Sequence, residues 1–304
     1  MPELPEVETI RRQLEPELVG RRIEAVEVLD ERLTRPEAPR TVERACAGRR
    51  IEAVERRGKY LMLKLGSTSL SPRRQRQAGG RWMVMHLRMT GNIVLGEPGP
   101  GVRYLRAVIR LEGGESVLFT DARRFGTAVV LDADDLQEYM APRAGIEPLS
   151  ERLTAAEIGA LAERRRVPLK SFLLVQSGIA GIGNIYADEA LWRAELHPLS
   201  PAGSMRPEHW ERLRAGIVET LEAGLANGGA SIDDYRDARG EEGTMQDEFL
   251  VHTREGLPCL RCGTEIRRIV VGGRSTYFCP GCQKRLRRRR PRTGHRRTAA
   301  ARGG

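Results

Sequence analysis

Residues 178–191 read GIAGIGNIYADEAL, three glycines in six positions running straight into a helix-like stretch. Glycine lets backbone N–H groups come close to an anion, and the N-terminus of a following helix favours negative charge. Asn184 adds a side-chain donor. Taken alone, the stretch fits a plain helix hairpin slightly better than a phosphate clamp, so its surroundings decide. Just upstream, RRRVPLK supplies Arg164, Arg165, Arg166 and Lys170. LTAAEIGALAERRR, PLKSFLLVQ, NIYADEALWRAEL and RPEHWERLRAGIVETLEAGLANG read as helices by their apolar spacing. The polar GGASIDDYRDARGEEGTMQDEF that follows reads as loop.

Downstream, four of the five cysteines form two C-x-x-C pairs, Cys259/Cys262 and Cys279/Cys282, with sixteen residues between them. Each pair can present two thiolates from a tight knuckle, the spacing of a zinc site. IRRIVV and GGRSTYF read as short strands around a Gly-Gly turn. Disulfides are the competing reading, disfavoured in a chain with no apolar signal segment. The expectation is one structural Zn2+, because four thiolates leave no open position for water; no redox cofactor or nucleotide is implied. Cys46 reads as a small buried hydrophobe. Beside a zinc ribbon, a helix-turn-helix phosphate clamp becomes the better reading of the glycine turn.

Upstream the period changes. RRIEAVEVLD, RRIEAVERR, KYLMLKLG, RWMVMHLRM, YLRAVIRLEGG, ESVLFTD and GTAVVLD alternate or carry short apolar runs between Gly, Pro and charged turns, as strands do. LPEVETIRRQL before them places Val7, Ile10 and Leu14 at helical spacing with Pro5 in the first turn. Residues 67–80 read as an exposed loop. The fold class is therefore α+β: an N-terminal β-sandwich with a leading helix, then a helical domain carrying a zinc ribbon. The boundaries are 1–136 for the sandwich, 137–149 for a linker, 150–254 for the helices, 255–284 for the ribbon and 285–304 for a tail.

The chain has 304 residues and a formal net charge of +10. Nine arginines and no acid lie in 285–304, so the rest, with 42 basic and 41 acidic residues, is nearly neutral. The high pI belongs to the tail, which has few apolar residues and reads as disordered. It can grip phosphate backbone non-specifically or simply solubilise the chain. No apolar run is long enough to span a membrane, so the expected location is cytoplasmic and nucleoid-associated.

MPELPEVET, RRGKYL, HLRMTG, TDARRFG, GIGNIYADEAL and the C-x-x-C pairs around GRSTYFCPGCQ occur in that order. In this the chain resembles the formamidopyrimidine-DNA glycosylases, bacterial repair enzymes for oxidised purines, from Pro2 to about Lys284. The resemblance implies a helix–two-turns–helix in the helical domain and a bifunctional DNA glycosylase and abasic-site lyase. Pro2, freed by removal of Met1, would be the nucleophile and Glu3 the proton-handling carboxyl. Glu6 would orient the terminus and belong to the DNA-facing set. Lys59 and Arg274 would contact the DNA and assist the two eliminations. Lys170, Asn184 and Arg165 would meet phosphates. Met89, Arg123 and Phe125 would fill the gap left by the flipped base, and Tyr104 stands where a DNA-contacting histidine is often found. Arg88, Ala122 and Val175 replace a frequent glycine, proline and acid. The implied partner is damaged double-stranded DNA, with no membrane and a monomeric protein. Two rivals are an endonuclease VIII-like glycosylase for oxidised pyrimidines and a non-catalytic zinc-ribbon protein that binds damaged DNA.

Overall fold

The computed structural model describes residues 2–66, 80–232 and 234–286. The loop expected at 67–80 and the tail at 285–304 lie outside them, apart from Gly80, Arg285 and Leu286. Helix α1 (Leu4–Leu18) buries Val7, Ile10, Leu14 and Leu18 on one face. Eight strands follow: β1 (Ile23–Val28), β2 (Ile51–Arg57), β3 (Tyr60–Leu65), β4 (Arg81–His86), β5 (Gly91–Gly96), β6 (Leu105–Leu111), β7 (Ser116–Asp121) and β8 (Thr127–Asp132). They form two antiparallel four-stranded sheets, ordered β1-β6-β7-β5 and β2-β3-β4-β8. One core takes Ile23, Ile51, Leu63, Met85, Ile109 and Phe119 from both sheets and closes on α1. The repeated IEAV of β1 and β2 carries a bulge at the same place in each, so Ile23 and Val26, and Ile51 and Val54, face inward although three residues apart.

The central strands of the second sheet, β3 and β4, are buried on both faces, which is why KYLMLKLG and RWMVMHLRM read as apolar runs rather than alternation. The sheet's outer face packs Tyr60, Met62, Trp82 and Val84 against Met140, Ala144 and Ala180. Three elements escape the sequence. Strand β5 is diluted by Asn92 and two glycines; a Cβ at Gly91 would lie 2.5 Å from the Leu87 carbonyl. Helix α2 (Pro39–Cys46) packs on β1, and α3 (Ala133–Met140) runs across the boundary expected at residue 136. Cys46 is fully buried, as expected.

The helical half consists of α4 (Ala155–Ala162), α5 (Leu169–Leu173), α6 (Asn184–Arg193) and α7 (Pro207–Ala226). Its core includes Phe172, Tyr186, Leu191, Trp210 and Leu221, and also Leu4 from the N-terminal helix. The chain's first residues are thus packed against the helical half. The described residues of 228–249 hold turns, an Ala230–Thr244 bridge and one short 3-10 segment, yet they are strapped to the sandwich: Gln13 binds Asp237 and Ala238, and Asn92 binds Asp234 and Arg236. The ribbon hairpin pairs β9 (Arg267–Val271) with β10 (Arg274–Phe278). Gly272 and Gly273 both take positive φ at its turn, as a two-residue hairpin demands. Among the described residues no helix is long and apolar enough to cross a membrane.

Candidate active site

Glu3 precedes α1 and is 1% exposed. Its Oε2 accepts the Gly183 N–H at 2.6 Å and its Oε1 accepts the Ile185 N–H at 3.0 Å. A Cβ at Gly183 would lie 2.3 Å from the Glu3 carboxyl carbon. The anion at the N-terminus of α6 is therefore the chain's own carboxylate, a correction to the phosphate reading of this turn. The glycines admit residue 3, and donors together with the helix dipole hold it. Pro2, one residue earlier, is buried.

Glu6 stands behind Glu3. Its Oε2 accepts the Glu3 N–H at 2.7 Å; its Oε1 accepts the Tyr186 hydroxyl at 2.7 Å and the Ala230 N–H at 2.8 Å. Burial, and then the Glu3 charge, push its carboxyl above the ordinary range. Buried and satisfied, Glu6 braces the N-terminus, which corrects its place among the DNA-facing residues.

A cleft of about 480 Å³ opens beside this anchor, lined by Lys59, His86, Met89, Phe125, Asn184 and Arg274 with their neighbours. Lys59 lies in the β2–β3 turn, where Gly58 takes positive φ and donates its N–H to Glu147 at 2.5 Å. Burial lowers the Lys59 pKa, while the charges of Glu3 and Glu6 oppose that shift. Arg274 opens β10 and is exposed, so the zinc hairpin delivers a cation to the same cleft. Asn184 donates its Nδ2 to the Ser275 carbonyl at 3.0 Å, and its Oδ1 is buried with no hydrogen-bond partner among the described residues.

The wedge candidates sit on two loops tied by one carboxylate. Buried Asp121 accepts the Thr90 hydroxyl at 2.5 Å, the Arg123 N–H at 3.1 Å and the Gly126 N–H at 2.7 Å. Phe125 is 51% exposed and Arg123 lies over its ring, 4.9 Å from the centroid. Arg88, where a glycine is frequent, takes φ of 56°, a left-handed conformation glycine adopts without cost.

Three expected DNA contacts stand elsewhere. Tyr104 does not line the cleft; it is exposed at positive φ, with Arg103 over its ring. Arg165 joins Arg164, Arg166 and Arg206 around a separate depression of about 310 Å³. Lys170 is fully buried: its ammonium meets Asp188 at 2.7 Å, the Thr276 hydroxyl at 2.9 Å and the Ser275 carbonyl at 3.0 Å. Fully buried in this ion pair and two hydrogen bonds, it clamps the hairpin to α6 and does not line the cleft, which corrects the expectation that it meets phosphate.

His86 was not singled out from sequence, although it opens HLRMTG. It lines the cleft at 8% exposure and accepts the Arg88 N–H on Nδ1 at 2.9 Å, which leaves the proton on Nε2. Burial, then Arg88 and Lys59, push its pKa down to about 3. It therefore offers a neutral N–H donor throughout the physiological range. Asp188 and Glu189 were missed as well. Asp188 takes Lys170, the His252 ring and the Tyr277 N–H; Glu189 takes the N–H groups of Leu250, Val251 and His252. Both lie in a helix whose periodicity marks only apolar positions.

The sulfurs of Cys259, Cys262, Cys279 and Cys282 all lie within 4.8 Å of one another. Tetrahedral Zn–S bonds of about 2.3 Å place sulfurs ~3.8 Å apart, so the four thiols fit one zinc ion. Cys279→Ser or Cys282→Ser is expected to abolish stoichiometric zinc, measured by elemental analysis, and to weaken binding to duplex DNA. The sandwich core, which shares no residue with the ribbon core, is expected to keep its circular dichroism.

Residues 1–128 match the formamidopyrimidine-DNA glycosylase N-terminal domain, residues 144–236 its H2TH domain, and residues 256–285 the zinc finger found in FPG and IleRS. A formamidopyrimidine-DNA glycosylase of Chloroflexus aurantiacus is 42% identical over 285 residues, which cover 93% of this chain and 98% of that protein. A Lactococcus lactis FPG mutant, solved in complex with Fapy-dG-containing DNA, superposes with a TM-score of 0.84 at 32% identity over 93% of this chain and 100% of that one. The wild-type Lactococcus lactis FPG, in complex with oxidised-pyrimidine-containing DNA, superposes at 0.83 with the same identity and coverage. Three domain matches in order and this identity over nearly the full length place the chain in the formamidopyrimidine-DNA glycosylase family.

Proposed function

We infer that this chain is a bifunctional glycosylase and abasic-site lyase acting on oxidised purines in double-stranded DNA, one protein per lesion. The observation that carries the reading is the Pro2–Glu3 terminus, locked onto α6 beside a cleft that also receives Lys59 and Arg274. A buried site of this kind serves a base taken out of the stack, since the sugar C1′ is unreachable inside a duplex.

After removal of Met1, the Pro2 secondary amine forms a bond to C1′ while the bond from C1′ to the damaged base breaks. A terminal α-amine has a pKa near about 8, so a useful fraction is unprotonated at neutral pH. Glu3 handles the proton that opens the sugar ring. The resulting iminium withdraws electrons from C2′; loss of the C2′ proton expels the 3′ phosphate, and a second elimination expels the 5′ phosphate. Lys59, Arg274, Asn184 and neutral His86 hold the phosphates beside the lesion. Met89, Arg123 and Phe125 take the place of the extruded base, with Arg123 facing its widowed partner.

The test uses duplexes bearing one defined lesion. Rapid excision of 8-oxoguanine and formamidopyrimidines opposite cytosine, with strand cleavage leaving phosphates at both ends of the gap, is the expected result. A second reading, preference for oxidised pyrimidines, draws support from the Lactococcus complex with such a lesion. It would prevail if those lesions were released faster. Binding with no base released and every strand left intact would leave only the non-catalytic alternative.

A further inference from the structure

Trp192 closes α6 with its indole 7% exposed. Its ring N–H donates to the Cys259 sulfur at 3.4 Å. Arg261, inside the same CLRC knuckle, lies over the ring with its guanidinium 4.1 Å from the centroid. It also donates to the Trp192 carbonyl at 3.3 Å and meets Glu195 at 3.1 Å. The indole is thus gripped by the knuckle, with its single polar atom aimed at one sulfur. A buried tryptophan N–H ordinarily seeks a good acceptor. A thiol is a weak one, whereas an ionised, metal-bound thiolate carries the charge that makes such a bond worthwhile.

We propose that Trp192 is a positioning residue of the zinc site, which orients Cys259 and holds part of its sulfur charge through the indole N–H. The donor comes from outside the ribbon, from the helix whose first turn cradles Glu3. A donor aimed at a ligand sulfur draws part of its charge away from the metal and also holds the thiolate ionised, against the protonation that frees the metal. Outer-shell partners of this kind change metal affinity by roughly 10–100-fold when removed. Arg261 stacks on the ring and binds the Trp192 carbonyl and Glu195, but its side chain gives the Cys259 sulfur no donor, so packing around the ring and the indole hydrogen bond can be separated.

The experiment uses the full chain loaded with cobalt(II) in place of zinc. Trp192→Phe keeps the ring and loses the N–H. The sulfur-to-cobalt charge-transfer band is expected to move to lower energy, and zinc release to a chelator to speed up by about tenfold. Arg261→Gln, which loses the stack and keeps the N–H, is expected to leave the band where it is. An unmoved band in Trp192→Phe, or an equal shift in Arg261→Gln, overturns the proposal. Should Trp192→Phe fail to fold, the wild-type protein loaded with NMR-active cadmium decides. Scalar coupling between the metal and the Trp192 indole proton is expected across the hydrogen bond, and its absence overturns the assignment.

Discussion

Borohydride added during turnover is expected to leave the protein covalently joined to its DNA through Pro2. The reagent reduces the iminium to a stable amine, so peptide mapping of the adduct reads the nucleophile directly. Pro2→Gly keeps a terminal amine but makes it primary and mobile. Residue 2 sits one peptide from Glu3, which two backbone donors of α6 hold in place, so the proline ring is the remaining constraint on the attacking nitrogen. Loosening it is expected to cost at least about a hundredfold in single-turnover rate, the scale of a one-ångström misplacement of reacting groups. Folding and duplex binding are expected to survive, because the hydrogen bonds that hold the terminus belong to Glu3 and Glu6 and remain in the variant. A bulky extension that blocks Met1 removal is expected to eliminate the adduct. An adduct mapped to Lys59, with Pro2 free, would sink the mechanism and leave the family membership standing.

Glu3→Gln is expected to slow base release by about 10²–10⁴-fold, the usual worth of a positioned acid–base group. Cleavage of a pre-formed abasic site starts from an open aldehyde and is expected to suffer less. A second effect follows from the packing. The carboxylate accepts from Gly183 with one oxygen and from Ile185 with the other. An amide can turn only one acceptor toward those two N–H groups, and its NH2 faces the other. One buried donor is left unpaired, at about 1–3 kcal/mol. The variant is therefore expected to melt earlier than wild type as well as to lose turnover. Equal melting temperatures would show that the α6 cradle does not depend on the charge.

The zinc ligands and the strand periods were legible because they are local. Two C-x-x-C pairs announce themselves at a spacing of three, and apolar alternation reports which face of a strand turns inward. The terminal proline followed by glutamate also stands out from sequence, since a helix start explains the acids but not a proline at position 2. Strand β5 stayed hidden for the opposite reason. Its Asn92 is explained by the Asp234 carbonyl and the Arg236 N–H, about 140 residues further along the chain.

From its sequence alone the chain determined an α+β architecture, the metal ligands and the order of the motifs that carry chemistry, because each depends on neighbours a few residues apart. Only the tertiary structure decided what those motifs touch. Gly183 looked like a phosphate nest until Glu3, 180 residues earlier, proved to be the anion it accommodates. Lys170 looked like a surface cation until Asp188 and the ribbon hairpin surrounded it. A donor, an acceptor or a charge is visible in a sequence, but its partner is chosen by the packing of elements distant along the chain. Burial then makes that partner obligatory, because a polar group removed from water must be paired.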